Sequence, residues 1–159
     1  MKMRSLITII VLSISGLALQ AQELEDMEKL VESGNFLFIA DRAFPSGGSS
    51  VDLMNRPNEV EFSGENARGH LAYFGRSHNA ASAYTQDGGG IRFDGEMMKK
   101  DVKTKKKKIM LSFTMKGDRD QYSCFLSITA SGSASLSVNS NNQSSINYNG
   151  VVTTKKEEK

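Results

Sequence analysis

The chain has 159 residues, of which 38% are hydrophobic, 24% are charged and only 2 are proline. That composition excludes a wholly disordered chain and a collagen-like repeat, and the length fits one compact domain rather than two. The formal charge is +2, far from the strongly basic balance that phosphate-backbone binding exploits, so nucleic acid is not an expected partner.

The first residues follow the order of an export signal. Lys2 and Arg4 precede an uncharged run from Ser5 to Leu19, and Gln20-Ala21 offers a small residue at a junction. A spanning helix needs about 20 predominantly apolar residues, and this run is shorter and is broken by Ser13, Ser15 and Gly16. Cleavage is expected after Ala21, with a retained anchor as the alternative. No Cys stands near the junction, so lipidation of a thiol there is excluded. Cleavage removes Lys2 and Arg4 and no acid, which leaves 18 basic and 18 acidic side chains. The expected organisation is a signal at 1–21, one β-rich domain with an N-terminal helix at 22–154, and a charged tail at 155–159. Cys124 is the only cysteine, so packing rather than an internal disulfide must hold the domain together.

Leu24, Met27, Leu30 and Val31 stand at helical spacing, and Gly34 follows where a left-handed cap ends a helix. One amphipathic helix is therefore expected from Gln22 to Ser33. Its acids crowd the early turns, where they oppose the positive end of the helix dipole. From Asn35 the period becomes two: Phe36, Phe38 and Ala40 alternate with Leu37, Ile39 and Asp41. Pro45-Ser46-Gly47-Gly48 turns the chain, Val51 and Leu53 begin a second strand, and Val60 and Phe62 carry a third.

A short strand at His70 to Gly75 and then a long loop to Gly90 are expected next. Ile91 and Phe93 restart the alternation, and Asp94-Gly95 has the form of a hairpin turn. A lysine-rich strand, exposed on one face, spans Met97 to Lys103. The last third alternates most clearly. Ile109, Leu111, Phe113 and Met115 share one face, and the rhythm returns at Tyr122 to Ala130, Ala134 to Val138 and Ile146 to Tyr148. Four strands joined by short turns make an antiparallel meander with one wet face. The expected fold class is mainly β: a single antiparallel meander of about eight strands forming a sandwich or partly open barrel, with one N-terminal helix.

Tyr73-Phe74-Gly75-Arg76 followed by Gly88-Gly89-Gly90-Ile91-Arg92-Phe93 resembles an exported bacterial family known as domain-of-unknown-function family 4251. Phe36-Leu37-Phe38-Ile39-Ala40, the Pro45 turn, Gly132 to Val138 and the closing Gln143 to Gly150 extend the resemblance over most of the chain. The family usually has Pro before the Tyr-Phe-Gly-Arg element, where this chain has Ala72. Its aromatic-rich link is replaced here by Ser82-Ala83-Tyr84-Thr85-Gln86. The resemblance implies an envelope or secreted location and a mainly β domain, and it supplies no activity.

No motif carries catalysis. His70 and His78, with Asp87 as a third group, lack the spacing of a metal site, which needs three or four ligands. Ser77 beside His78 and Ser82 near Asp87 have no orienting third group in view, and Cys124 lies in phase with apolar neighbours, as a buried thiol would. Gly88-Gly89-Gly90 leads into a strand instead of the helix that a phosphate loop requires. Asp118 and Asp120 are half of a calcium loop without its remaining ligands. Neither a metal nor a cofactor is implied.

Lys99, Lys100, Lys103 and Lys105 to Lys108 form a basic band that suits a protected edge strand. Contact between Lys99–Lys108 and an anionic membrane is the less favoured reading. The leading functional expectation is a non-catalytic binding protein of the periplasm or cell envelope, with Tyr73, Phe74, Arg76, His78 and Tyr84 as ligand-binding residues in the long loop. Its ligand would be a small molecule, a glycan or an envelope protein. The alternatives are an assembly factor working through the sheet face or edge, and a hydrolase with an unrecognised site.

Overall fold

The computed structural model describes residues 21–54, 57–74, 90–105, 107–117 and 120–155. Helix α1 occupies residues 21–32. It ends as its sequence demands: Gly34 takes φ 69°, and its N–H donates to the Val31 carbonyl at 3.1 Å. Val31 is buried, and Leu24, Met27 and Leu30 pack on the same apolar cluster. On the exposed side Glu25 and Lys29 pair at 2.8 Å, one turn apart, and each holds the other's charged form.

Ten strands follow: β1 Asn35–Pro45, β2 Val51–Asp52, β3 Glu59–Ser63, β4 Asn66–Leu71, β5 Ile91–Glu96, β6 Met98–Lys105, β7 Lys108–Lys116, β8 Gln121–Thr129, β9 Ser133–Ser140 and β10 Ile146–Thr154. They form one antiparallel sheet in the order β5-β4-β3-β1-β10-β9-β8-β7-β6, with β2 on β1. The two ends of that order are consecutive in the chain. β5 lies against β4 with Phe93 opposite Gly69, while Phe93 also bridges Gly117 at the end of β7. The sheet thus curls nearly into a barrel, and the sandwich alternative is set aside.

The alternation of β7 to β10 holds residue by residue, with Leu111, Leu126 and Leu136 all turned inward. Three expectations are corrected. About eight strands are expected in all and ten are present among the described residues; the segments expected at Val51–Leu53 and Met97–Lys103 each count as strands of their own, β2 and β6. Asp94-Gly95 makes no hairpin: the backbone bends at Gly95, with φ 148°, and continues into β6, since Asp94 is engaged with Arg68 of β4 and Met97 donates to the Glu65 carbonyl. The central strand is β4, beginning at Asn66 rather than His70, because the Gly64-Glu65 turn alone returns the chain against β3.

The interior is almost entirely apolar, with Asn58 and Thr114 its buried polar residues among those described. Phe36 stacks on Phe62 with ring centroids 4.2 Å apart, and Phe62 meets Phe113 edge-on at 5.5 Å. β3 and β7 are not neighbours in the sheet, so that contact crosses the middle of the molecule. Phe93 and Tyr122 form a third pair. Outside, β3 to β6 alternate charges of both signs, including the Arg68–Asp94 pair at 2.8 Å. An apolar interior behind outer faces that carry charges on β3 to β6 is unlike a membrane-spanning barrel, whose outer band is apolar, and among the described residues no helix is long and apolar enough to cross a membrane.

The barrel has two unlike ends. At one, α1 lies by the β3–β4, β6–β7 and β8–β9 turns: Glu28 accepts from Thr104 at 2.6 Å, and Gly64 donates to the Gly34 carbonyl at 3.0 Å. A β-carbon built on Gly132 would come 3.3 Å from the end of Met27. At the other end lie the β1–β2, β4–β5, β7–β8 and β9–β10 connections.

Two features are measurable. Gly150 faces the bulge of β1 between Ala40 and Arg42, where a β-carbon would fall on the Ile39 carbonyl oxygen. Gly150→Ala should therefore lower unfolding stability by about 3 kcal/mol or more in urea titration, whereas Gly47→Ala, in an open turn, should cost less. Burial pushes the Cys124 thiol up to about 12. The folded state therefore holds a proton that the unfolded chain releases above the ordinary value of 9.0. That stabilisation is complete below this value and is lost as pH rises toward 12. The stability of the protein should fall across this window with about one proton's slope more than that of Cys124→Ala.

Candidate functional site

The site is built at the end opposite α1. β4 stops at Leu71, and the next residues turn across the barrel mouth. Ala72 donates its N–H to the Asn58 side-chain oxygen at 2.6 Å, and its carbonyl accepts the Tyr148 hydroxyl at 2.8 Å. Asn58 is buried, and its carbonyl accepts from Ala40. Tyr148 is wholly inside, and burial drives its hydroxyl far above the ordinary phenol range. These bonds fix the peptide that carries the next two residues.

Tyr73 is half-buried, and its hydroxyl donates to the Ser144 carbonyl at 3.0 Å. Partial burial raises its pKa above the ordinary phenol value, and the bond to Ser144 opposes the shift. Phe74 projects outward, 39% exposed. Tyr73 thereby ties the β4–β5 connection to the β9–β10 turn. That turn is organised by Ser140, whose hydroxyl accepts the N–H groups of Asn142 and Gln143 at 3.2 and 2.9 Å. Asn142 then reaches the β7–β8 turn, donating to Asp120 Oδ1 at 3.1 Å, which also accepts the Gln121 N–H at 2.8 Å. A chain of contacts runs from Tyr73 through residues 140–144 to Asp120.

At the far end of this chain two acceptors are left over. Asp120 Oδ2 and Gln143 Oε1 are shielded from solvent and have no hydrogen-bond partner among the described residues. A buried acceptor without a donor is costly, so both oxygens favour a group that brings N–H or O–H to them.

The expected site residues fare unequally. Tyr73 and Phe74 stand at this end, one holding the mouth and one exposed. Arg76, His78 and Tyr84 lie outside the described residues, as do Asp87, Ser77 and Ser82. His70, expected at the start of a short strand, is an exposed outward residue near the end of β4, between Glu59 and Arg92. Cys124 is buried and its thiol is held protonated, so it is no thiolate nucleophile. Among the described residues no three His, Cys, Asp or Glu gather as metal ligands.

Within the lysine band Lys100 pairs with Glu65 at 2.9 Å and Lys103 with Asp101 at 2.5 Å, and the β6 end touches acidic α1 through Thr104 and Glu28. The band is thus partly neutralised by its surroundings. Sequence reasoning missed Asp120, Asn142 and Gln143 as a group, because turn residues on separate hairpins give no sign of their proximity.

The chain also resembles proteins already seen. No curated protein matches it. Among solved structures it is similar to the crystal structure, at 1.95 Å resolution, of a DUF4251 family protein from Bacteroides eggerthii, with 20% identity and a TM-score of 0.64. That similarity covers 85% of this chain and 91% of the other and supports the common fold. The family model for the domain of unknown function DUF4251 matches residues 18–152, nearly the whole barrel and its helix, and the chain therefore belongs to the DUF4251 family.

Proposed function

We propose that this protein is a non-catalytic binding protein of the bacterial periplasm or cell envelope, and that it takes its ligand at the loop end of the barrel. The observation that carries the reading is the pair of buried acceptors, Asp120 Oδ2 and Gln143 Oε1, at the same end as half-buried Tyr73 and exposed Phe74. One end of the barrel is occupied by α1, and loops on a rigid scaffold are where recognition residues gather. The acceptors call for a ligand with N–H or O–H donors, and Phe74 offers it an apolar face. A small hydroxyl- or amine-bearing molecule combines both. The export-like order of residues 1–21 supports the location.

Asp120 separates structure from binding. Asp120→Ala removes the acceptor of both Gln121 and Asn142 and should lower stability by about 1–3 kcal/mol. Asp120→Asn keeps Oδ1, so its stability should stay within about 1 kcal/mol of the parent, while it puts a donor in place of Oδ2, the acceptor without a partner among the described residues. Ligand-observed NMR with monosaccharides, amino sugars and amino acids should find a binder whose signal weakens about tenfold in both Phe74→Ala and Asp120→Asn. Silence from every probe, or a signal indifferent to both variants, would refute the loop-end site. Fractionation of the native bacterium should recover a chain beginning at Gln22 outside the cytoplasm. An uncleaved cytosolic chain would refute the location.

A further inference from the structure

From Gln121 to Thr154 the chain contains no Asp, Glu, Lys or Arg, although these make up 24% of the whole. The segment is β8, β9 and β10, three adjacent staves, so the gap in the sequence becomes a continuous uncharged surface. Its outward rows follow from the register: Phe125, Ser137 and Asn147 stand side by side, as do Ser127, Ser135 and Asn149. Phe125 is 43% exposed. Neighbouring staves lie about 4.8 Å apart, so each row spans roughly 10 Å between its outer strands.

The fold does not require this. Outward positions of β3 to β6 carry Glu59, Arg68, Arg92, Asp94 and Lys103, and charges there serve solubility. An outward face stripped of charge avoids the large desolvation penalty of burying ions, and its Ser and Asn groups can be covered at low cost by a partner that hydrogen-bonds to them. Its composition also selects the partner. Ser is depleted in protein–protein interfaces, which disfavours a protein here. Ser hydroxyls and Asn amides both donate and accept, matching a partner whose groups do the same and carry no charge. Phe125 supplies a ring face for C–H groups.

We propose that the outer face of β8, β9 and β10 binds a neutral polysaccharide. Phe125 lies against one sugar ring, and Ser135, Ser137, Asn147 and Asn149 exchange hydrogen bonds with hydroxyls on either side. This surface is separate from the loop end and stands or falls independently of it.

Affinity electrophoresis of the purified protein tests the assignment, in gels containing a soluble β-glucan, a mannan or dextran, with alginate as an anionic counterpart. At least one neutral polymer should retard the protein, and raised salt should leave the retardation intact. Phe125→Ala and Ser135→Lys, both at exposed positions, should abolish it while thermal unfolding stays unchanged, and Phe74→Ala should not affect it. No retardation by any neutral polymer would overturn the proposal, as would retardation by alginate alone that fades with salt. Retention unaltered in both face variants would also overturn it, and so would sedimentation showing that the face instead joins two copies of the chain.

Discussion

The edge-on contact between Phe62 and Phe113 is the constraint on which the rest of the architecture turns. The two rings come from strands that share no backbone hydrogen bond, so they meet only if the sheet curls far enough to bring opposite walls together. Once it does, Phe36 stacks behind Phe62, and the short residues Ala67 and Gly69 on β4 leave room for the large rings around them. Alternation along a strand decides which side chains point inward. The aromatic contacts decide how far the sheet must bend to accommodate them.

The legible part of the fold was the part in which every strand is half-buried and neighbours its successor. Ile109, Leu111, Phe113 and Met115 declare a strand unaided, and Gly34 declares the end of α1. The run from Ile91 to Lys105 is less legible, because the break at Gly95 shows in the sequence but the change of partner from β4 to β7 across it does not. Asp94-Gly95 has the residues of a hairpin, yet Arg68 holds Asp94 in the β4 ladder and the chain runs on. The same reasoning applies to the loop end. Tyr73 and Phe74 stand out as aromatics, whereas Asp120 and Gln143 look like ordinary turn residues until Asn142 brings their hairpins together.

The distribution of charge divides the molecule in a second way. Acids of α1 approach the lysine-rich end of β6, Lys155 pairs with Glu61, and Arg68 pairs with Asp94. These contacts lie on the helix, on β3 to β6 and at Lys155, just past the end of β10. Exposed pairs of this kind add little stability, and they keep basic groups close to acidic ones. The opposite arc, β8 to β10, has nothing to pair. A protein with a balanced total thus shows a mosaic of both signs on one flank and no ionic groups on the other.

The pairing of β1 with β10 has a consequence for synthesis. Phe36 sits opposite Thr154 and Pro45 opposite Ile146, so the first stave to leave the ribosome is completed by the last. Closing so large a loop is slow relative to making local hairpins. Until translation of Thr154 is finished, β1 has an unsatisfied backbone edge flanked by Phe36 and Phe38. A nascent or prematurely terminated chain is therefore a natural client for holding chaperones and proteases, and quality control can distinguish it from the finished product by the uncovered edges of β1 and β9, between which β10 belongs.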